Sequence, residues 1–229
     1  MKNVLIFVVG LLAVIPITEA VKGGIQQLHP GINYPYMVSL QSYDVDHYRH
    51  ECGGTIFDTK HIFSPAKLYE PYGEFAILTA AHCVKPFLDN MDFFVFFGNT
   101  PVPQKVTIPW RQHKTLISIP TQYQYGRPQY DIAIIRFNNS AINKGGLRPA
   151  VLNDKKEHDS PTEALAIGYG STTLVADPAS YPILNALNLS LAGENTCKFA
   201  AESVGQSYPE PNMHICLSSG DPNRGVCKG

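Results

Sequence analysis

The 229-residue sequence predicts an all-β protein held by disulfides, and three observations predict it. Short runs rich in β-branched and aromatic residues recur along the chain, closed by Gly, Pro or Asn. Glycine and proline number 18 each while charged residues make up only 16% of the chain, a balance that favours short turn-bounded segments over long helices. Five cysteines follow an apolar leader, and a chain routed for secretion meets conditions in which disulfides persist.

The leader is residues 1–20. Lys2 supplies a positive start, "VLIFVVGLLAVI" an apolar core, and Thr18 and Ala20 the small residues of a signal-peptidase site. Cleavage after Ala20 is expected, giving an extracellular protein that starts at Val21. The apolar core is short for a membrane span and no later segment is long enough, so no membrane association is expected after cleavage. "YMVSLQS" then alternates ahead of a polar loop. "DFFVFFGN", "KVTIPW", "LISI" and "DIAIIRF" read as strands, as do "EALAIGYGST" and "LNALNLSL" beyond Asn138. A helix is expected only at "GENTCKFAAESV", residues 193–204. The polar, turn-rich "NNSAINKGGLRP" suggests a division into residues 21–140 and 141–229. Periodicity alone leaves a sandwich and a barrel open.

One segment interrupts the pattern. Without "FSPAKLYEPYGEFAI", residues 63–77, the chain would read "CGGTIFDTKHILTAAHC", a hairpin-like run. The segment holds two prolines and a glycine, so it is expected to bulge out as a surface loop.

A formal charge of −1 without any run of Lys or Arg argues against a nucleic-acid partner. Of eight histidines, His29, His47, His50, His61, His113, His158 and His214 are read as bystanders. No pair has tight metal-ligand spacing supported by cysteine or carboxylate, so no metal is expected. His82 stands apart through its neighbours: in "ILTAAHCV" it sits among small apolar residues, directly before Cys83.

"CGGT…LTAAHC" resembles the start of the chymotrypsin/trypsin-like serine endopeptidases, and further stretches extend the resemblance in the same order. "VKGGIQQLHPGINYPYMVSLQ" is similar to the family's mature start, with Lys22 where Val is usual. "YDIAIIRF" resembles the strand that carries the catalytic acid, "AIGYGSTT" the "GWG" segment with Tyr169 in place of tryptophan, and "CKFAAESVGQSYPEPNMHIC" a disulfide loop. The resemblance implies the two-barrel chymotrypsin-like fold, with the first barrel in 21–140 and an incomplete second barrel in 141–229. It implies His82 as general base and Asp131 as the carboxylate that orients it. A carboxylate in so apolar a run needs a partner, because burying an unpaired charge is costly. The resemblance also implies disulfides Cys52–Cys83 and Cys197–Cys216. The first would fix the backbone beside the base, which must stay within hydrogen-bond reach of its nucleophile.

The family's nucleophile follows "C-x-G" as Asp-Ser-Gly-Gly. Here Cys227 and Gly229 match that "C-x-G" at the last residues of the sequence. The serine is therefore expected just past Gly229, leaving Cys227 unpaired and Gly229 as an oxyanion-hole residue. Gly220-Asp221 is followed by Pro222 and cannot substitute, while Ser171, Ser218 and Ser219 sit in polar turns. As written, the chain is expected to be inactive. Ala20 precedes Val21 where the family usually has Arg or Lys, so no zymogen step is expected. Counting back from Cys227 by the family's spacing places Gly225 and Val226 in the specificity pocket, an uncharged pair that implies a chymotrypsin-like preference.

The favoured reading is a secreted serine endopeptidase acting on protein or peptide substrates without a cofactor. The alternatives are a non-catalytic homologue that binds protein partners, and an unrelated secreted β-domain in which His82 and Asp131 are incidental. Asn138 in "NNS" and Asn188 in "NLS" are glycosylation acceptors by motif, the latter within an expected strand.

Overall fold

The structure is a computed structural model that describes residues 21–22, 24–27, 30–59, 74–88, 91–97, 104–127, 129–138, 140, 147–152, 163–169, 183–203, 205, 216–221 and 225–226. The expected leader, residues 1–20, lies outside the described residues. Strands dominate: β1 (Val21–Lys22), β2 (Ile25–Gln26), β3 (Met37–Asp44), β4 (His47–Asp58), β5 (Phe75–Thr79), β6 (Phe93–Phe97), β7 (Gln104–Ile108), β8 (Ile117–Ser118) and β9 (Ala133–Arg136). After them come β10 (Glu163–Tyr169), β11 (Leu184–Leu191), β12 (Leu217–Ser218) and β13 (Gly225–Val226).

Seven strands form one antiparallel sheet in the order β7-β6-β3-β4-β5-β9-β8. Its core is Val38, Leu40, Ile56, Ile77, Phe93, Val95, Phe97, Ile108, Ile135 and Phe137, all at most 2% exposed. Burying side chains of this size contributes roughly 1.5–3 kcal/mol apiece. The first six residues of β3 are all buried, polar ones included. Those polar groups have partners: Gln41 Nε2 donates to Ser39 Oγ at 2.9 Å, and Ser42 Oγ donates to Glu51 at 2.6 Å.

The polar stretch after "YMVSLQS" is not a loop. β3 runs on to Asp44, turns through Val45 and Asp46, and returns as β4, the longest strand. Val45 adopts a left-handed conformation at φ 51°. The hairpin closes with Tyr43 against Tyr48, ring centroids 4.9 Å apart. His47, Tyr48 and Arg49 are exposed, so the segment shows no apolar alternation along its sequence.

The expected loop over residues 63–77 also needs correction. Phe75, Ala76 and Ile77 begin β5 and pair with Asp58, Phe57 and Ile56. Ala76 and Ile77 are fully buried. The strand leading into "LTAAHC" is therefore "FAILT", and the chain does not continue there from "KHI". Residues 63–73 lie outside the described residues. "LISI" supplies only the two-residue β8, because a helical turn, His113–Leu116, takes its leucine. Further helical turns at Pro30–Asn33 and Ala81–Val84 were not expected from the sequence.

A second sheet pairs β10 with β11, and β11 with both β12 and β2. The ten-residue helix Glu194–Ser203 follows, within the span expected for it. The Cys197–Cys216 disulfide ties this helix to the chain entering β12. Separately, β1 pairs with β13. Met37 packs with Tyr169 and Leu184, joining the start of β3 to the second sheet.

Candidate active site

Strand β5 ends at Thr79, and the extended Ala80 leads into the turn Ala81–Val84 that carries His82. Ala81 before it is fully buried, and Cys83 after it is bonded to Cys52 on β4. Thr79 Oγ1 donates to the Gly53 carbonyl at 2.9 Å, pinning the end of β5 to the same strand. Gly54 allows this close approach: a Cβ there would lie 2.9 Å from Ile77 Cγ2 and 3.0 Å from Val38 Cγ2. His82 is thus held from both sides while its ring stays part-exposed.

Asp131 arrives from 49 residues away in sequence. Tyr130, just before it, is left-handed at φ 58°, and the Ile132 N–H donates back to the Tyr130 carbonyl at 2.8 Å. This tight turn sets the chain's entry into β9. The Asp131 carboxylate then meets His82 twice, with Oδ2 2.6 Å from the ring Nδ1 and Oδ1 accepting the backbone N–H at 2.8 Å. A carboxylate can only accept, so the ring proton is on Nδ1 and Nε2 carries the lone pair. That is the tautomer of a general base.

His82 opens onto a cavity of about 340 Å³ that is also lined by His50, Gly53, Gly54, Thr55, Gly168 and Tyr169. His50, taken from the sequence as a bystander, lines the same cavity as His82. Burial holds its pKa down at about 4, so it is neutral at pH 7. Ser39 Oγ lies 2.7 Å from His50 Nδ1. Ser39 Oγ also accepts from Gln41 Nε2 at 2.9 Å, so the three side chains form one hydrogen-bonded chain. A β-bulge between Leu40 and Gln41 sets His50 opposite Gln41, a pairing that local sequence does not reveal. The only cue was its place two residues before Cys52.

The remaining expected residues fall as follows. Both expected disulfides, Cys52–Cys83 and Cys197–Cys216, are formed. Cys52, His82 and Cys83 cluster closely, but the two sulfurs are bonded to each other and offer no thiolate to a metal. The backbones of Gly225 and Val226 pair with Lys22 and Val21. Cys227, Gly229 and Ser171 lie outside the described residues, as do His29, His61, His158 and His214. His113 is buried, its Nε2 3.2 Å from the Ile108 carbonyl. Ser218 is exposed on β12, and Ser219 bonds within the turn that follows. Asn138 and Asn188 are both exposed. Among the described residues no helix is long and apolar enough to cross a membrane.

Comparison with known proteins bears on the family and the fold. Transmembrane protease serine 11C of Mus musculus is 27% identical over 177 residues, which is 77% of this chain and 35% of that protein. The chain thus spans about a third of the relative's length. A solved structure described as "Structure of GrC" superposes with a TM-score of 0.57, covering 86% of this chain and 74% of its own. At 19% identity that likeness speaks for the fold alone, which is the all-β chymotrypsin-like one. The trypsin family model matches residues 72–229, more than half of the sequence and both members of the His82–Asp131 couple, and the chain belongs to the trypsin family of serine proteases.

Proposed function

We propose that the protein is a secreted endopeptidase that cleaves protein or peptide substrates through an acyl-enzyme, with His82 as base and then acid. The His82–Asp131 couple carries this reading. Asp131 holds the imidazole in the tautomer that accepts a proton at Nε2 and stabilises the imidazolium that forms. The nucleophilic serine belongs to a segment that follows the Cys227–Gly229 match, with the Gly229 N–H as one oxyanion donor. Two disulfides and the leader support passage through an oxidising secretory route. Residues 21–140 are assigned to the first barrel and 141–229 to the second.

Gly225 and Val226 are assigned to the specificity pocket. They offer no charge to a substrate Arg or Lys, whose burial without a partner costs several kcal/mol. A large apolar side chain gains about 1.5–3 kcal/mol instead, so cleavage after Phe, Tyr or Leu is favoured.

The test compares the 229-residue chain with the reading frame extended beyond residue 229. The shorter form should not react with a serine-directed fluorophosphonate. The longer form should react, lose the label in His82→Ala, and cleave Phe and Leu substrates ahead of Arg and Lys. Labelling of the shorter form that His82→Ala abolishes would overturn the assignment of the nucleophile. An extended frame without Asp-Ser-Gly-Gly would leave a non-catalytic homologue that binds protein partners.

A further inference from the structure

We propose that Asn138, and not Asn188, carries an N-linked glycan, placed at the end of the first sheet away from His82. The inference rests on the secretory routing proposed above. Asn138, Asn139 and Ser140 form an acceptor sequon, and Asn138 is exposed just after β9. Its Oδ1 accepts the Ser140 N–H at 3.0 Å and the Ser140 hydroxyl at 2.7 Å. These two bonds close an Asx turn between Asn138 and Ser140, and neither residue pairs in a strand among the described residues. Both bonds engage the carbonyl oxygen; no hydrogen bond among the described residues engages Nδ2.

There is room for a sugar. Asn138 borders a cleft of about 260 Å³ whose lining includes Val106, Pro109, Gln112, Leu116 and Phe137. The cleft falls just below the usual size of a ligand pocket, roughly 300 Å³ upward, which suits one sugar ring better than a whole substrate. Asp131 and Asn138 lie beyond opposite ends of β9, whose four residues span about 13 Å. A glycan there stands clear of the His82 cavity.

Asn188 differs. It is paired with Leu165 in the middle of β11, between the buried Leu187 and Leu189. Its sequon continues through Ser190, which pairs with both Glu163 and Ser218. An extended, doubly paired backbone cannot form the closed turn seen at Asn138.

In the transfer, Asn138 Nδ2 bonds to C1 of the first sugar of a lipid-linked oligosaccharide pyrophosphate. The C1–O bond to the pyrophosphate breaks with its electron pair, the lipid pyrophosphate leaves, and one Nδ2 proton passes to a base of the transferase.

The test expresses the full chain in a secreting eukaryotic cell, once with its own leader and once with an unrelated, proven secretory signal in place of residues 1–20. Peptide mass mapping before and after an N-glycan amidase should find one sugar-bearing peptide, containing residue 138. The glycan should be lost in Asn138→Gln and in Ser140→Ala and kept in Asn188→Gln. A bare Asn138 in the chain with the supplied signal, or a glycan at Asn188, would overturn the proposal. A glycan at Asn138 with the supplied signal and none with the native leader would support it and count against the routing alone.

Discussion

Asp131 grips His82 at two points, its Oδ2 2.6 Å from the ring Nδ1 and its Oδ1 2.8 Å from the backbone nitrogen. Asn in its place has only one oxygen. If that oxygen keeps the backbone N–H, the amide nitrogen faces Nδ1 and donates to it, moving the ring proton to Nε2. In Asp131→Asn, the nitrogen-15 spectrum of His82 should therefore report the Nε2–H tautomer. In a serine-bearing form, kcat should fall by about four orders of magnitude. A proton that stays on Nδ1 in the variant would contradict the assignment.

Tyr130 holds a left-handed backbone at φ 58°, which costs a side-chain-bearing residue roughly 1–2 kcal/mol. Tyr130→Asn should raise stability by up to about 1 kcal/mol and leave the His82 Nδ1 proton signal in place. Tyr130→Val, β-branched, should cost about 1–2 kcal/mol and weaken that signal, because the turn that aims Asp131 opens. Urea unfolding with proton NMR checks both.

His50 should make the protein acid-sensitive. Its folded pKa is about 4 against an ordinary 6.5, so between those values the unfolded state binds the extra proton. The stabilisation is therefore fully present above pH 6.5 and is lost as pH falls toward 4. Between pH 7 and pH 5 the loss is about 2 kcal/mol from this group. Urea midpoints at the two pH values should converge in His50→Gln; an unchanged gap would refute the role.

The β4–β5 hairpin closes where the Thr59 N–H and hydroxyl both donate to the Glu74 carbonyl, at 2.9 and 2.8 Å. Replacing residues 60–73 with Asn-Gly should keep the seven-stranded sheet and leave stability equal or about 1–2 kcal/mol higher, since a shorter connection closes at less entropic cost. Deleting residues 63–77 should abolish folding, because it removes the buried Ala76 and Ile77. Circular dichroism of the two deletions decides between these boundaries.

Gly54 and Gly53 should respond oppositely to a methyl group. Gly54→Ala meets Ile77 and Val38 and should cost roughly 1–3 kcal/mol, whereas a Cβ on Gly53 meets nothing within 4 Å. Gly53→Ala should stay within about 0.5 kcal/mol of the parent in the same unfolding assay.

The sequence by itself determined the strands that carry their own signal. β6, β9 and β11 are apolar enough to be recognised from local pattern, because their side chains enter a core whatever stands beside them. Through its resemblance to the trypsin-like proteases it also singled out His82 and Asp131, which the structure brings into contact, and the cysteines that bond beside His82. Tertiary structure alone decided the rest. β4 is polar over its first half and is a strand because β3 pairs with it. Phe75–Ile77 looked like the tail of an insertion until β4 and β9 bracketed them as core. His50 is set opposite Gln41 by a bulge at Glu51 in its own strand, read only against β3, and Asp131 meets His82 beside a left-handed Tyr130. Each of these depends on which distant backbone lies alongside, and hydrogen bonding between separate strands leaves no periodic trace in either one.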